Sequence, residues 1–556
     1  MFKKIIVLFS KNIFIKVSLL AAFILNLSFF ILYLKFDNTP PHWDAGRHYF
    51  TSIRYWEIFK NILIENRPNG RLDAIREFLS RYFYYPPGYY YITMPFLALG
   101  RGYRFALSSN ILWIVLSSVS IVAFLRKLNF SWFSTGISLL FFTGSAFIIG
   151  QSREYQLDFP NFTMVLVSVT ALEFLTQKFN YRNLTFAAVS ISFGALVKWH
   201  FLLFMAPIIL FYALRWGYLA FKYKRKDLGY LYLTAYTLLS TFLTFTGIWY
   251  ASNLTRLKID LTKNSGQSGI DEGDPQGFTT ETYQLFIRFF TIEYFGLWWL
   301  LFFAVILVAG IYLVYKNFNK IKSEISTNIR FVYIGLFALF IFISMLLYHI
   351  RQSNKDIRYI IILYLPLIII FALLSEIIFR YINKKIVINI LFSLSLVIFL
   401  FNQINMTLPI ENEATFLFKE SKTPITLVPS MAYTNTRLKN KDWAIYKALA
   451  KTSELNGEYL NKDSCVKDWY WSARPTINPD FAPNLLHSSF GSLWGLSEEY
   501  GLTLPDSEDS CYVLIGRIQP KNEIEVSKYL EKYTVVERYD DWQGLNMVLL
   551  KKKIKN

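Results

Sequence analysis

The chain has 556 residues, 54% of them hydrophobic and 19% aromatic, with a mean hydropathy of +0.31 and a formal charge of +19. A chain of this length would hold about three or four soluble domains. Apolar runs near the ~20 residues that a bilayer-crossing helix needs recur as far as about residue 403, and they exclude that layout. The excess positive charge lies in short alternate loops that carry no base-stacking aromatic platform, which excludes nucleic acid as a partner.

About eleven spans are expected, over 13–35, 104–125, 132–150, 160–176, 183–198, 200–214, 228–250, 294–315, 330–349, 359–379 and 386–403. The segments 183–198 and 200–214 are short and run together, so a hairpin reaching only partway is the alternative for that pair. Lys3, Lys4 and Lys11 precede a first segment too long for a signal-peptide core and lacking a small-residue cleavage site, so no cleavable signal is expected. Alternate loops carry Arg126/Lys127, Lys178/Arg182, Arg215/Lys222/Lys224/Arg225/Lys226, Lys316/Lys320/Lys322/Arg330 and Arg380/Lys384/Lys385, interrupted by Asp227 and Glu324. Basic loops on one side place the N-terminus in the cytoplasm. An odd number of spans then puts the C-terminal region outside. Low Gly and Ala with high Lys, Ile, Asn and Phe points to an AT-rich bacterial genome, which makes the membrane an inner (plasma) membrane and the outer side periplasmic or extracellular.

The first outer loop, 36–103, is long. Ile53, Trp56, Phe59 and Leu63 recur at helical spacing opposite Arg54, Glu57 and Lys60. Leu72, Ile75, Phe78, Leu79 and Tyr82 do the same opposite Asp73, Arg76 and Arg81. Two amphipathic helices in the interface plane are expected, followed by a rigid turn at Tyr84-Tyr85-Pro86-Pro87-Gly88. The loop at about 251–293 is rich in Gly, Ser and acids and reads as mobile. Residues 404–556 are polar, with strand-like runs at 425–428, 512–518 and 546–550, and form an expected outer α/β domain. It holds Cys465 and Cys511, which are either one disulfide or free thiols. The domain division is therefore 1–403 and 404–556.

The densest chemistry is Trp43-Asp44-Ala45-Gly46-Arg47-His48, just beyond the first span on the outer side. Asp44 is either a helix N-cap or a proton-accepting carboxylate. Arg47, one turn on, either pairs with Asp44 or binds a phosphate with its forked guanidinium. Asp158, beside Pro160 and near Arg153 and Glu154, is either a cap or a membrane-level site acid. Lys198, in Lys198-Trp199-His200, either snorkels or serves the site. His42, Asp44 and His48 match no strong ligand spacing, so no metal or other cofactor is expected, a divalent ion being the alternative. No P-loop, dinucleotide-binding glycine motif or internal repeat is present.

In order and membrane side, these segments resemble the GT-C membrane glycosyltransferases. The resemblance is to the branch with protein O-mannosyltransferases and bacterial aminoarabinose-lipid A transferases (glycosyltransferase family 39/83-like). The family's acidic motif in the first outer loop matches Asp44, and an arginine that contacts the lipid phosphate in the bacterial branch matches Arg47. A Pro-Pro turn matches Pro86-Pro87, a second acid Asp158, a lysine Lys198, and an Arg-Tyr pair before a proline-containing span Arg358-Tyr359 and Pro366. Two departures stand out: Ala45 replaces the usual second acid, and Tyr85 stands where His or Lys commonly precedes the Pro-Pro pair. The resemblance implies an all-α polytopic fold, a polyprenyl-phosphate sugar donor and transfer with inversion. It implies Asp44 and Asp158 as the catalytic acids and Arg47, Lys198 and Arg358 as the donor-phosphate contacts. His48, Tyr85 and Arg153 are expected as acceptor or loop contacts, and a lipid, glycan or protein as the acceptor. The alternative function is a transporter or flippase of lipid-linked sugars.

Overall fold

The computed structural model describes residues 11–36, 43–63, 70–100, 102–222, 227–266, 274–320, 330–382, 384–407, 447–448, 451, 469–472, 512–518, 530–540 and 545–553. Cys465, Cys511, His42 and the strand-like run at 425–428 lie outside them. Through residue 407 the described chain is helical: α1 Lys11–Phe36, α2 Trp43–Leu63, α3 Gly70–Ser80, α4 Gly88–Leu99, α5 Tyr103–Ser108, α6 Asn110–Lys127, α7 Trp132–Gly144, α8 Ala146–Ser152 and α9 Asp158–Gln177. There follow α10 Tyr181–Val197, α11 His200–Lys222, α12 Asp227–Phe245, α13 Gly247–Gly266, α14 Thr280–Arg288, α15 Gly296–Lys316, α16 Arg330–Arg351, α17 Tyr364–Tyr381 and α18 Lys385–Thr407. A short π-helical segment, Phe289–Tyr294, precedes α15, and a 3-10 segment, Ile357–Leu363, precedes α17.

Among the described residues eight helices are long and apolar enough to cross a membrane, or nine if the bent pair α7–α8 is one span. The chain is a multi-pass membrane protein. All eleven expected segments are helical, but two fall short of that test. One is α10, whose 17 residues extend only about 25 Å at 1.5 Å per residue. The other is α12, which breaks from α13 at Thr246.

The expected straight span over 132–150 is bent by 61° between α7 and α8. A break inside a bilayer frees carbonyls that only other protein groups can satisfy, and they are satisfied here. The Gly144 carbonyl accepts Trp299 Nε1 at 3.0 Å and Asn402 Nδ2 at 2.7 Å, and the Thr143 carbonyl accepts Gln403 Nε2 at 2.9 Å. Ser145 Oγ and the Tyr364 hydroxyl both donate to the Tyr294 carbonyl, at 2.9 and 2.8 Å. Around the bend, Phe141 stacks on Phe371 with centroids 4.1 Å apart. These contacts lock α7 and α8 to α15, α17 and α18.

The apolar faces foreseen in α2 and α3 turn inward only in part: Ile53 is buried, whereas Leu63, Leu72 and Leu79 stay exposed. Ala45, Tyr49, Ile53 and Tyr55 are buried, Phe59 packs on Phe78, and Phe78 stacks on Tyr91 at 4.5 Å. The two helices therefore cap one end of the bundle. Of the loop at about 251–293, the glycine-rich run 267–273 lies outside the described residues. Residues 247–266 are helical, and Asp274 Oδ2 accepts the Lys355 amide at 2.6 Å, fastening residues 274–276 to the loop before the 3-10 segment.

The C-terminal part contributes a four-stranded sheet in the order β1-β2-β4-β3, with β1 Trp469–Ser472, β2 Tyr512–Ile518, β3 Tyr533–Asp540 and β4 Leu545–Lys552. β1 and β2 are parallel, while β4 runs antiparallel to both β2 and β3, with a bulge between Val535 and Glu537. Two of these strands, β2 and β4, coincide with the expected runs, and the sheet fits an α/β domain.

Gly88 opens α4 immediately after the Pro-Pro turn, where a Cβ would lie 2.8 Å from the Leu196 backbone of α10. Intrinsic propensity favours alanine in a helix by up to ~1 kcal/mol. The clash costs about 1–3 kcal/mol. Gly88→Ala is therefore expected to lower the thermal midpoint of the detergent-purified protein, and a raised midpoint would show that this contact yields freely.

Candidate active site

Asp44 lies in the first turn of α2, where the positive end of the helix dipole favours a carboxylate. It does not pair with Arg47. Its partner comes from 314 residues away: Arg358 Nη1 donates to Asp44 Oδ2 at 2.8 Å. The partly enclosed position of Asp44 works against ionisation, but the Arg358 guanidinium, helped by Lys198, outweighs that cost. The carboxyl is held below its usual range.

Arg358 is shared. Its Nε donates to Asp356 Oδ2 at 2.6 Å, and Nη1 also donates to Gln156 Oε1 at 2.9 Å. Asp356 is fixed in turn, because its other oxygen accepts the Arg358 backbone amide at 3.0 Å and caps the 3-10 segment. A second pair is almost fully enclosed: Lys198 Nζ donates to Asp158 Oδ1 at 2.6 Å, with side chains 2% and 6% exposed. Asp158 is not the N-cap of α9. That position is Leu157, so the Asp158 carboxylate is available to the lysine. Lys198 reaches it because the chain is extended at Lys198, between α10 and α11.

Tyrosines join the two pairs. The Tyr359 ring lies 5.0 Å from Lys198 Nζ and 5.6 Å from the Arg358 guanidinium, and Tyr85 lies 5.5 Å from Lys198 Nζ. Burial, with neighbouring tyrosines and the two aspartates, pushes the Tyr85 phenol well up and keeps it neutral. Tyr85 packs on His48 at 5.3 Å, and His48 Nδ1 hydrogen-bonds the Tyr90 hydroxyl at 2.9 Å. Burial lowers His48 to about 3, so it sits as a neutral ring between tyrosines. Arg47 is exposed and lies 5.0 Å over the ring of Tyr84. Tyr84 has φ +76°, a left-handed conformation that costs a non-glycine residue of order 1–3 kcal/mol and marks functional turns.

Asp44, Asp158, Lys198, Arg358, His48 and Tyr85 thus converge, with Arg47 at the rim. The structure does not bring the Arg153 guanidinium into this cluster. Its guanidinium is spent on α18, donating to Met406 O at 2.6 Å, Thr407 Oγ1 at 2.6 Å and Gln403 Oε1 at 3.2 Å, and it lies over Tyr33. A fully buried guanidinium takes whichever neighbours supply several acceptors, and the end of α18 supplies a carbonyl, a hydroxyl and an amide oxygen. Among the described residues no three His, Cys, Asp or Glu side chains gather as a metal site. Sequence reading missed Gln156, Asp356 and the depth of Glu154; the acid-rich stretch before Pro160 was the available signal.

An arrangement of this kind, one accessible carboxylate facing several cations, neutral tyrosine walls and an apolar bundle beneath, suits an anionic lipid headgroup. The backbone as a whole has a solved counterpart. It superposes on the crystal structure of ArnT from Cupriavidus metallidurans in the apo state with a TM-score of 0.53 and 12% identity, over 95% of this chain and 97% of that one.

The chain has a GT-C fold.

The crystal structure of the same ArnT bound to undecaprenyl phosphate gives a TM-score of 0.48 and 13% identity over the same shares of each chain. No protein-family model matches the sequence, and no curated protein does. The GT-C likeness therefore rests on the backbone.

Removing one partner of a buried ion pair strands the other charge at a cost of about 3–5 kcal/mol. Asp158→Asn is expected to destabilise the purified protein by about that much. Adding Lys198→Met in the same molecule should recover most of the loss. Equal midpoints for Asp158→Asn and the double variant would contradict the pairing.

Proposed function

We propose that this GT-C chain is an integral-membrane glycosyltransferase that moves a sugar from a polyprenyl-phosphate donor to an acceptor hydroxyl on the outer face of the membrane. In this reading the N-terminus is cytoplasmic, residues 1–403 form the catalytic module of an inner-membrane protein, and residues 404–556 form an extracytoplasmic domain. The observation that carries the reading is the Asp44–Arg358 pair at 2.8 Å, set beside the enclosed Lys198–Asp158 pair at one end of an apolar bundle. The shared fold with ArnT, an aminoarabinose-lipid A transferase, supports it.

The donor is a phosphodiester with a permanent negative charge and a lipid tail. The tail belongs among the helices and the phosphate among Arg47, Lys198 and Arg358. An arriving phosphate competes with Asp44 for Arg358, because both anions seek the same guanidinium. Asp44, released, accepts the proton of the acceptor hydroxyl as its oxygen attacks the anomeric carbon from the face opposite the phosphate. The bond from that carbon to the phosphate oxygen breaks, its electron pair stays on the polyprenyl phosphate, and the sugar carbon inverts. Arg358 and Lys198 face the charge that grows on the leaving phosphate, and preorganised cations in an enclosed site are worth most there. Asp158 positions Lys198. A lipid, glycan or protein hydroxyl serves equally as the acceptor in this scheme.

The transporter alternative has less support. Asp44 opens α2, Lys198 separates α10 from α11, and Arg358 precedes α17, so the charges lie at helix ends. A transporter site is expected at the membrane midplane.

The test is sugar transfer by the purified full-length protein, using radiolabelled polyprenyl-phosphate hexoses and pentoses with cell-envelope extracts as acceptors. Loss of a general base costs about 10²–10⁴-fold in rate. Asp44→Asn is expected to fall by that factor while still binding donor. Undiminished transfer by Asp44→Asn would refute the assignment, and no transfer by the wild type with any donor would favour transport.

A further inference from the structure

The segment between α8 and α9 holds a carboxyl that the transfer step leaves unused. Glu154 is 1% exposed. Its Oε1 accepts Gln156 Nε2 at 2.7 Å, while Oε2 has no hydrogen-bond partner among the described residues. An ionised carboxylate with one bare oxygen in such an enclosure is severely penalised, and a neutral carboxylic acid far less so.

Gln156 is the link to the site. A guanidinium only donates, so the amide oxygen must face Arg358. That orientation leaves the amide nitrogen to face Glu154. The 2.9 Å contact to Arg358 and the 2.7 Å contact to Glu154 are those two halves. The segment itself is fixed. Asn110 Nδ2 donates to the Ser152 and Glu154 carbonyls at 2.9 Å each, and the Tyr155 hydroxyl donates to Thr93 Oγ1 at 2.7 Å.

We propose that protonated Glu154 is a positioning residue: acting through Gln156, it holds the Arg358 guanidinium where both Asp44 and a donor phosphate can reach it. The inference rests on the donor-site reading above and adds to it a required protonation state. The charged groups facing Glu154 are Arg358 and Asp356 from the loop and 3-10 segment, Asp44 from α2 and Asp158 at the start of α9. Asp44 and Asp356 already share Arg358. An ionised Glu154 adds another anion around the same guanidinium, draws it away from the donor position and repels the incoming phosphate.

Burial sets where this happens. It raises Glu154 to about 8, only partly offset by Arg358, so the acid is mostly protonated at neutral pH and ionises as the pH rises further. Donor affinity therefore falls on the alkaline side.

The experiment measures binding of a long-chain polyprenyl phosphate to the purified full-length protein in detergent between pH 7.5 and 9.5. It compares the wild type with Glu154→Gln and Glu154→Ala. If binding requires the protonated form, the apparent affinity scales with its population, a loss of about 20-fold across this range. Glu154→Gln, an isosteric group that cannot ionise, is expected to flatten that decline to about twofold or less. Glu154→Ala is expected to bind about tenfold more weakly at pH 7.5, with the glutamine variant recovering most of the difference. Titration of the probe's own phosphate is common to all three proteins and cancels in the comparison. An alkaline decline in Glu154→Gln as steep as in the wild type would overturn the role of Glu154 and leave the donor site standing. Should Glu154→Ala fail to fold, the wild-type and glutamine profiles decide the matter alone. No binding by the wild type at any pH would overturn the donor-site reading and this proposal with it.

Discussion

One guanidinium organises the site end of this molecule. Arg358 must hold Asp44, Asp356 and Gln156 at once, at 2.6–2.9 Å, in a place where water is scarce. A charge there is tolerable only if paired and hydrogen-bonded, so the elements that supply the partners have to meet. That requirement brings the start of α2, the segment before α9 and the loop before α17 to one point. The Lys198–Asp158 pair imposes the same demand on the break between α10 and α11. The bundle's packing, and above all the bent α7–α8 pair clasped by α15, α17 and α18, sets the frame in which these separated pieces coincide.

An ion pair that stabilises the empty site is also what a lipid phosphate must compete with. This gives the proposed enzyme an order of events. The base is quenched while Arg358 holds it, and the anion that becomes the leaving group is the anion that frees it. The acceptor then meets an activated carboxylate only when a donor is in place, which protects the lipid-linked sugar from wasteful attack by water. Neutral groups complete the arrangement. His48, Tyr85 and Tyr90 fill the walls without adding charge, and Glu154 does so in its protonated form.

Much of this was legible in the sequence, and for physical reasons. Long apolar runs must be helices in a bilayer, since only helices satisfy their own backbone. Charged residues beside such runs are costly, and so Asp44, Asp158 and Lys198 stood out, while Arg358 was marked by the family resemblance. Which of the four pair with one another was not legible. Asp44 and Arg358 lie 314 residues apart, and local spacing pointed instead to Arg47, one helical turn away. Arg153 was placed at the site because it neighbours Asp158 in sequence, whereas its guanidinium is fastened to α18, 253 residues on. The bend at Ser145 carries no proline and became legible only through the groups that catch the freed carbonyls. In the loop at 251–293, composition does not reveal that Asp274 accepts a backbone amide from a loop 81 residues further on.

The central claim is that a polyprenyl phosphate takes Arg358 from Asp44. An experimental structure of the protein with a polyprenyl phosphate bound tests it most directly. The account predicts phosphate oxygens within hydrogen-bonding distance of Arg358 and Lys198, with the Asp44–Arg358 contact opened beyond salt-bridge range. A phosphate seated elsewhere, with that pair still closed at its present 2.8 Å, would contradict it.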